Sequence, residues 1–76
     1  MIKVTERQLE TLDFIKAYID SNSIPPSMME ISLELDVFPN AAQGHVAALV
    51  KKGALTVTTG KMRSIVLVKG AKVVLK

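Results

Sequence analysis

Near the N-terminus, Leu9, Leu12, Ile15 and Ile19 recur at helical spacing, with Phe14 and Tyr18 flanking the stripe. Just before them, "TERQ" at Thr5 to Gln8 has the form of a capping box: a threonine hydroxyl that can accept from a backbone N–H, and a glutamine that can reach back. The pattern predicts a first helix from Glu6 to about Ser21, ended by the turn formers and two prolines of "DSNSIPP". A second capping box, Ser27 to Glu30, opens a short helix from about Met28 to Leu35, whose apolar side is assigned to Met29, Ile31, Leu33 and Leu35. "DVFPN" interrupts it with a turn of about four residues. The third helix runs from Pro39 or Asn40 to Lys52, with proline suited to its first position and Gly53 to the left-handed residue after its end.

Past Gly53 the period changes from helical to two. In "ALTVTT", Leu55 and Val57 alternate with Thr56 and Thr58; "TGK" supplies a turn; "RSIVLV" is β-branched and apolar. These are the two strands of a hairpin, and "AKVVLK" beyond them is read as a third short strand or a β-tail. The fold class is therefore α+β, a winged helix-turn-helix of three helices followed by a β-hairpin wing and that short strand, in a single domain over residues 1–76. No internal repeat or low-complexity segment competes with this order.

The third helix carries the most informative surface. Val46, Leu49 and Val50 are assigned to its buried stripe, while Asn40, Gln43, Gly44 and Ala47 turn the other way. A merely solvated face would carry several Lys or Glu. Two amides, a glycine and an alanine suit contact with another surface.

Size and composition narrow the function. A chain of 76 residues buries only about 60–65% of its unfolded surface, which argues against a multi-step enzyme. With no cysteine there is no disulfide framework or thiolate zinc site, and the lone His45 cannot hold a metal unaided, so neither metal nor cofactor is expected. No catalytic constellation is found either: one histidine inside a helix offers no credible triad, no glycine-rich phosphate loop is present, and Glu6, Glu10 and Asp13 read as a solvated face. The apolar run at 64–68 is far too short to span a bilayer, and "MIKVTERQ" lacks a signal-peptide core. A soluble, unprocessed cytoplasmic protein with no membrane partner is expected.

The net charge is +3, but its distribution matters more than its size. All seven acids (Glu6, Glu10, Asp13, Asp20, Glu30, Glu34, Asp36) precede residue 51, and the remaining residues hold Lys51, Lys52, Lys61, Arg63, Lys69, Lys72 and Lys76 with no acid. Such a block attracts phosphate backbones or acidic protein surfaces; the plainer reading is a solubilising lysine face.

With these segments in place, the chain resembles the N-terminal DNA-binding domain of LexA-type repressors from Val4 to about Val68. The resemblance is carried by "TERQLETLDFI", "IPPSMMEIS", "PNAA" followed by a histidine, "ALVKKGAL" and the "TTGKMRSIVLV" hairpin, at nearly the family's spacing. It implies that the third helix enters the major groove and that the wing and helix ends touch phosphates. The family's dimerising, self-cleaving C-terminal domain has no counterpart in the residues read here, so a regulator without that switch is expected. Phe38 stands where the family commonly has a capping serine, and Asp36 replaces a frequent glycine. One branch has two glutamates at Gln43 and Gly44 and a lysine at Ala47, which implies a different operator preference for this chain.

Candidate base contacts are Asn40, Ala41, Gln43 and Gly44. An amide donates and accepts at once and so matches adenine N6 and N7, although Asn40 can equally serve as a helix cap. Ala41 matches a groove-facing position of the family and suits a thymine methyl, or is an ordinary helix alanine; Gly44 either admits close backbone approach or is simply tolerated. Candidate phosphate contacts are Lys51, Lys52, Lys61 and Arg63, at the end of the third helix and the wing tip. His45 is assigned a half-buried structural role, and Thr5, Arg7, Ser27 and Met28 the duties of helix starts.

The expected partner is double-stranded DNA. The alternative is a winged-helix module that engages another regulator, suggested by "SIVLVKGAKVVLK", whose strand is apolar on both faces. A weak homodimer through the C-terminal β-region, Val66 to Leu75, is also expected, because one module on one half-site makes few base contacts; intramolecular closure of the tail is the competing outcome.

Overall fold

A computed structural model describes residues 1–57 and 65–75. Strand β1 (Ile2–Val4) leads into α1 (Glu6–Asn22), followed by α2 (Met28–Leu35), α3 (Pro39–Lys52), β2 (Leu55–Val57), β3 (Ile65–Leu67) and β4 (Val73–Leu75). Three helices and a hairpin stand in the expected order, an α+β winged helix-turn-helix.

Both capping boxes close. Thr5 Oγ1 accepts from the Gln8 N–H at 3.2 Å while the Thr5 N–H donates to Gln8 Oε1 at 3.0 Å. Ser27 Oγ accepts from the Glu30 N–H at 3.2 Å, and the Ser27 N–H donates to Glu30 Oε1 at 2.8 Å. Each helix ends on a left-handed residue: Ser23 (φ 63°), Asp36 (φ 55°) and Gly53 (φ 89°). After α2, the Val37 N–H reaches back to the Ser32 carbonyl at 3.0 Å, so the turn to α3 takes three residues, Asp36 to Phe38, one fewer than expected.

The buried face of α2 differs from the expected one. Ile31, Ser32 and Leu35 are buried and Met28 packs against the core, whereas Met29 and Leu33 are 57% and 73% exposed. Positions 29, 31, 33 and 35 repeat every second residue, which no helix can bury on one side; 28, 31, 32 and 35 follow the helical period. One core joins β1, the helices and the hairpin: Val4 of β1, Leu12 and Ile15 of α1, Ile31 and Leu35 of α2, Ala42, Val46 and Leu49 of α3, and Leu55 and Ile65 of the hairpin. Two buried hydroxyls are satisfied locally, Thr11 donating to the Arg7 carbonyl at 2.8 Å and Ser32 to the Met29 carbonyl at 2.7 Å. Tyr18 ties α1 to α2 by donating to Glu30 Oε2 at 2.7 Å.

The third short strand exists, but it does not extend the hairpin. β2 and β3 pair antiparallel (Leu55 with Leu67, Val57 with Ile65), while β4 pairs parallel with β1 (Ile2 with Val73, Val4 with Leu75). A reversal at Gly70 (φ 81°) sends the tail back to the N-terminus, where the Ile2 N–H donates to the Lys72 carbonyl at 2.8 Å. This covers Val4, which is fully buried, and seats Val73 on the core. The tail thus closes within the chain.

Helix α3 has no side-chain cap, since its N-cap residue is Phe38, a residue 84% exposed. Phe38→Ser supplies a hydroxyl acceptor without removing buried apolar surface, and is expected to stabilise the fold by about 1 kcal/mol. The midpoint of urea unfolding should rise; an unchanged or lower midpoint would contradict the capping argument.

Candidate nucleic-acid interface

Burial of Ala42, Val46 and Leu49 fixes which side of α3 faces out. Asn40, Gln43, Gly44, Ala47 and Lys51 are all exposed on it. Asn40 is not a cap: it is the second residue of α3, behind Pro39, and the N-cap is Phe38. Its amide is therefore not committed to helix capping.

These residues line one open concavity with Met28, Val46, Val50 and Val57. Of the four candidate base contacts, the concavity gathers Asn40, Gln43 and Gly44; Ala41 is exposed but lies outside its lining. Val50 departs from its assigned place, being 37% exposed rather than buried with Val46 and Leu49. It sits at the border of the stripe, where the partner helices leave it uncovered. Met28 and Val57 were not anticipated as lining residues. Their signal was weak, since a methionine opening a helix reads as part of the helix start and a valine in a strand reads as core.

The candidate phosphate contacts separate. Lys51 borders the concavity, whereas Lys52 points to the start of α1 and donates from Nζ to Gln8 Oε1 at 2.7 Å. Lys61 and Arg63 lie outside the described residues. His45 is half-buried, in keeping with a structural role. Arg7 bridges Glu10 at 3.0 Å and the Leu35 carbonyl at 3.3 Å, which joins α1 to the end of α2. Among the described residues no group of three or more His, Cys, Asp or Glu could hold a metal ion, and no helix is long and apolar enough to cross a membrane. Acidic side chains line concavities elsewhere: Glu10, Asp13 and Glu34 beside Phe14, and Glu6 beside Leu9. Neither shares a residue with the α3 face, which keeps negative charge out of it.

A helix-turn-helix whose last helix presents two amides on an outward face bordered by Lys51, followed by a β-hairpin, has the architecture of the winged DNA-binding domain class. Residues 1–64 match the LexA DNA binding domain family, and the chain belongs to that family. It is 48% identical over 66 residues to LexA repressor 1 of Pseudomonas syringae pv. tomato, covering 86% of this chain and 33% of that protein. It is 46% identical over 69 residues to the LexA repressor of Thermosipho melanesiensis (91% and 35%), and 47% over 68 residues to that of Dechloromonas aromatica (88% and 34%). The chain thus spans about a third of the length of these relatives.

Gly44 lies mid-helix, and a Cβ added there would meet nothing within 4 Å. Gly44→Ala is expected to stabilise the free protein by about 0.5–1 kcal/mol, because glycine loses more backbone entropy on entering a helix. Thermal unfolding without DNA checks this, and a lowered transition would mean the position is crowded after all.

Proposed function

We propose that this protein acts in the cytoplasm as a small sequence-specific regulator that reads duplex DNA through α3. Asn40, Ala41, Gln43 and Gly44 meet base edges, and Lys51, Lys52, Lys61 and Arg63 meet phosphates. The observation that carries the reading is the exposed α3 face itself, where two amides stand on a helix otherwise free of competing charge until Lys51. Its activity is binding, with no chemical step. Affinity comes from the cationic C-terminal third, because each neutralised phosphate releases counterions without selecting sequence.

One copy on one half-site has little surface with which to discriminate, so two copies are proposed to act together as a weak homodimer. Since β4 already pairs with β1, the contact would fall to Val66 and Leu75, which are 55% and 53% exposed. Sedimentation equilibrium of the full chain should show reversible dimerisation at high micromolar concentration; a monomer throughout that range would remove the dimer while leaving the DNA reading intact.

The second reading, an interaction module for another regulator, is favoured by the exposure of Leu33 and Phe38. Selection from a pool of random duplexes separates the two. DNA recognition predicts an enriched sequence; affinity no better than that of a generic basic protein, with no enrichment, would exclude it. Within the enriched duplex, Gln43→Ala should relax preference at one or two positions. Lys51→Ala should weaken all duplexes alike and lower the salt slope by about 0.9.

A further inference from the structure

The composition of α3 restricts which base pairs its outward face can read. From Pro39 to Lys52 the helix contains no Arg, Asp or Glu. It therefore lacks the side chains that most often recognise guanine O6 and N7, or accept from cytosine N4. Its lysines stand only in the last turn, and Lys52 is engaged with Gln8. Besides Lys51 at its C-terminal border, the face offers two amides, Asn40 and Gln43, and an apolar floor. Gly44, Ala47 and Val50 succeed one another three residues apart along the helix, and Met28 and Val57 line the same concavity.

We propose that this face reads A·T base pairs as units: the amides pair with adenine N6 and N7, and the floor formed by Ala47, Val50 and Met28 receives thymine C5-methyl groups. An A·T pair presents to the major groove one acceptor and one donor on adenine, then an acceptor and a methyl on thymine. The amides match the first part and the apolar floor the last. The two features are continuous, since Gln43 and Asn40 border the same concavity that Val50 and Met28 line. Gly44, whose missing side chain leaves open space, lets bases approach the helix between amide and floor. Covering these apolar groups with a methyl removes them from water; a guanine or cytosine edge would instead place unpaired polar groups against them. The proposal deepens the DNA-reading function and rests on it.

The test uses the full chain and the duplex it selects best from a random pool. Each thymine is replaced singly by uracil, which deletes only the methyl. At one or two thymines per half-site, uracil should weaken binding about fourfold, the value of one buried methyl. Val50→Thr or Met28→Gln should abolish the preference for thymine over uracil at one of those positions, read as the ratio of the two affinities measured with the same variant. Thermal unfolding confirms that each variant is folded. Equal affinity for thymine and uracil at every position of a duplex that is nonetheless selected would overturn the methyl reading alone, and would leave the apolar floor to a protein partner. G·C pairs enriched at the centre of the half-site would overturn it too. Failure to select any duplex would instead overturn the underlying DNA-reading function, and this proposal with it.

Discussion

The contact on which the structure depends is the seating of Ala42, Val46 and Leu49 of α3 against α1 and α2. All three are essentially inaccessible to solvent, at 0%, 2% and 0% exposure. Truncating a buried leucine costs about 2–5 kcal/mol, against a total stability of about 5–15 kcal/mol for a typical domain. A rotation of α3 would unseat all three together, in a core too small to offer another arrangement. The direction of Asn40, Gln43 and Gly44 is thus a consequence of packing on the far side of the helix. Alanine at 42 matters for the same reason, since a small residue there lets α3 lie close to its neighbours.

Features governed by neighbours in sequence were legible in the sequence. The capping boxes at Thr5 and Ser27 and the stop at Gly53 depend on residues three or four positions apart, so their chemistry can be read directly, and all three formed. The phase of short helices was less legible. In the eight residues of α2 the apolar side chains Met29 and Leu33 draw the assignment away from the helical period, which a polar residue, Ser32, completes. Contact with α1 and α3 decides it, and a serine satisfied by its own helix carbonyl proves as buriable as a methionine. β4 was legible in "AKVVLK", but its pairing with β1 was not, because the register joins residues some seventy positions apart and the three residues of β1 have no recognisable pattern alone.

The same distinction applies to the candidate interface. Amide chemistry marked Asn40 and Gln43 from residue type alone, and both are exposed. Lys51 and Lys52 are indistinguishable as sequence, yet adjacent helix positions diverge by about a quarter turn. One borders the α3 concavity and the other meets the α1 cap. Gln8 is the shared element there: its Oε1 accepts from both the Thr5 N–H and the Lys52 ammonium, coupling the end of α3 to the start of α1. An apparently local capping residue therefore also fixes one cation of the C-terminal block.

On the proposed function, affinity and selectivity fall to different parts of this small molecule. Lysines at the end of α3 and beyond it would supply attraction that any duplex satisfies, while the α3 face would contribute amides and apolar groups that attract no phosphate. Charge in that face would raise affinity for every sequence at once, and so erode the difference between the right site and the many wrong ones. A proposed reading surface that stays uncharged up to Lys51 would make most of its contribution depend on which bases it meets.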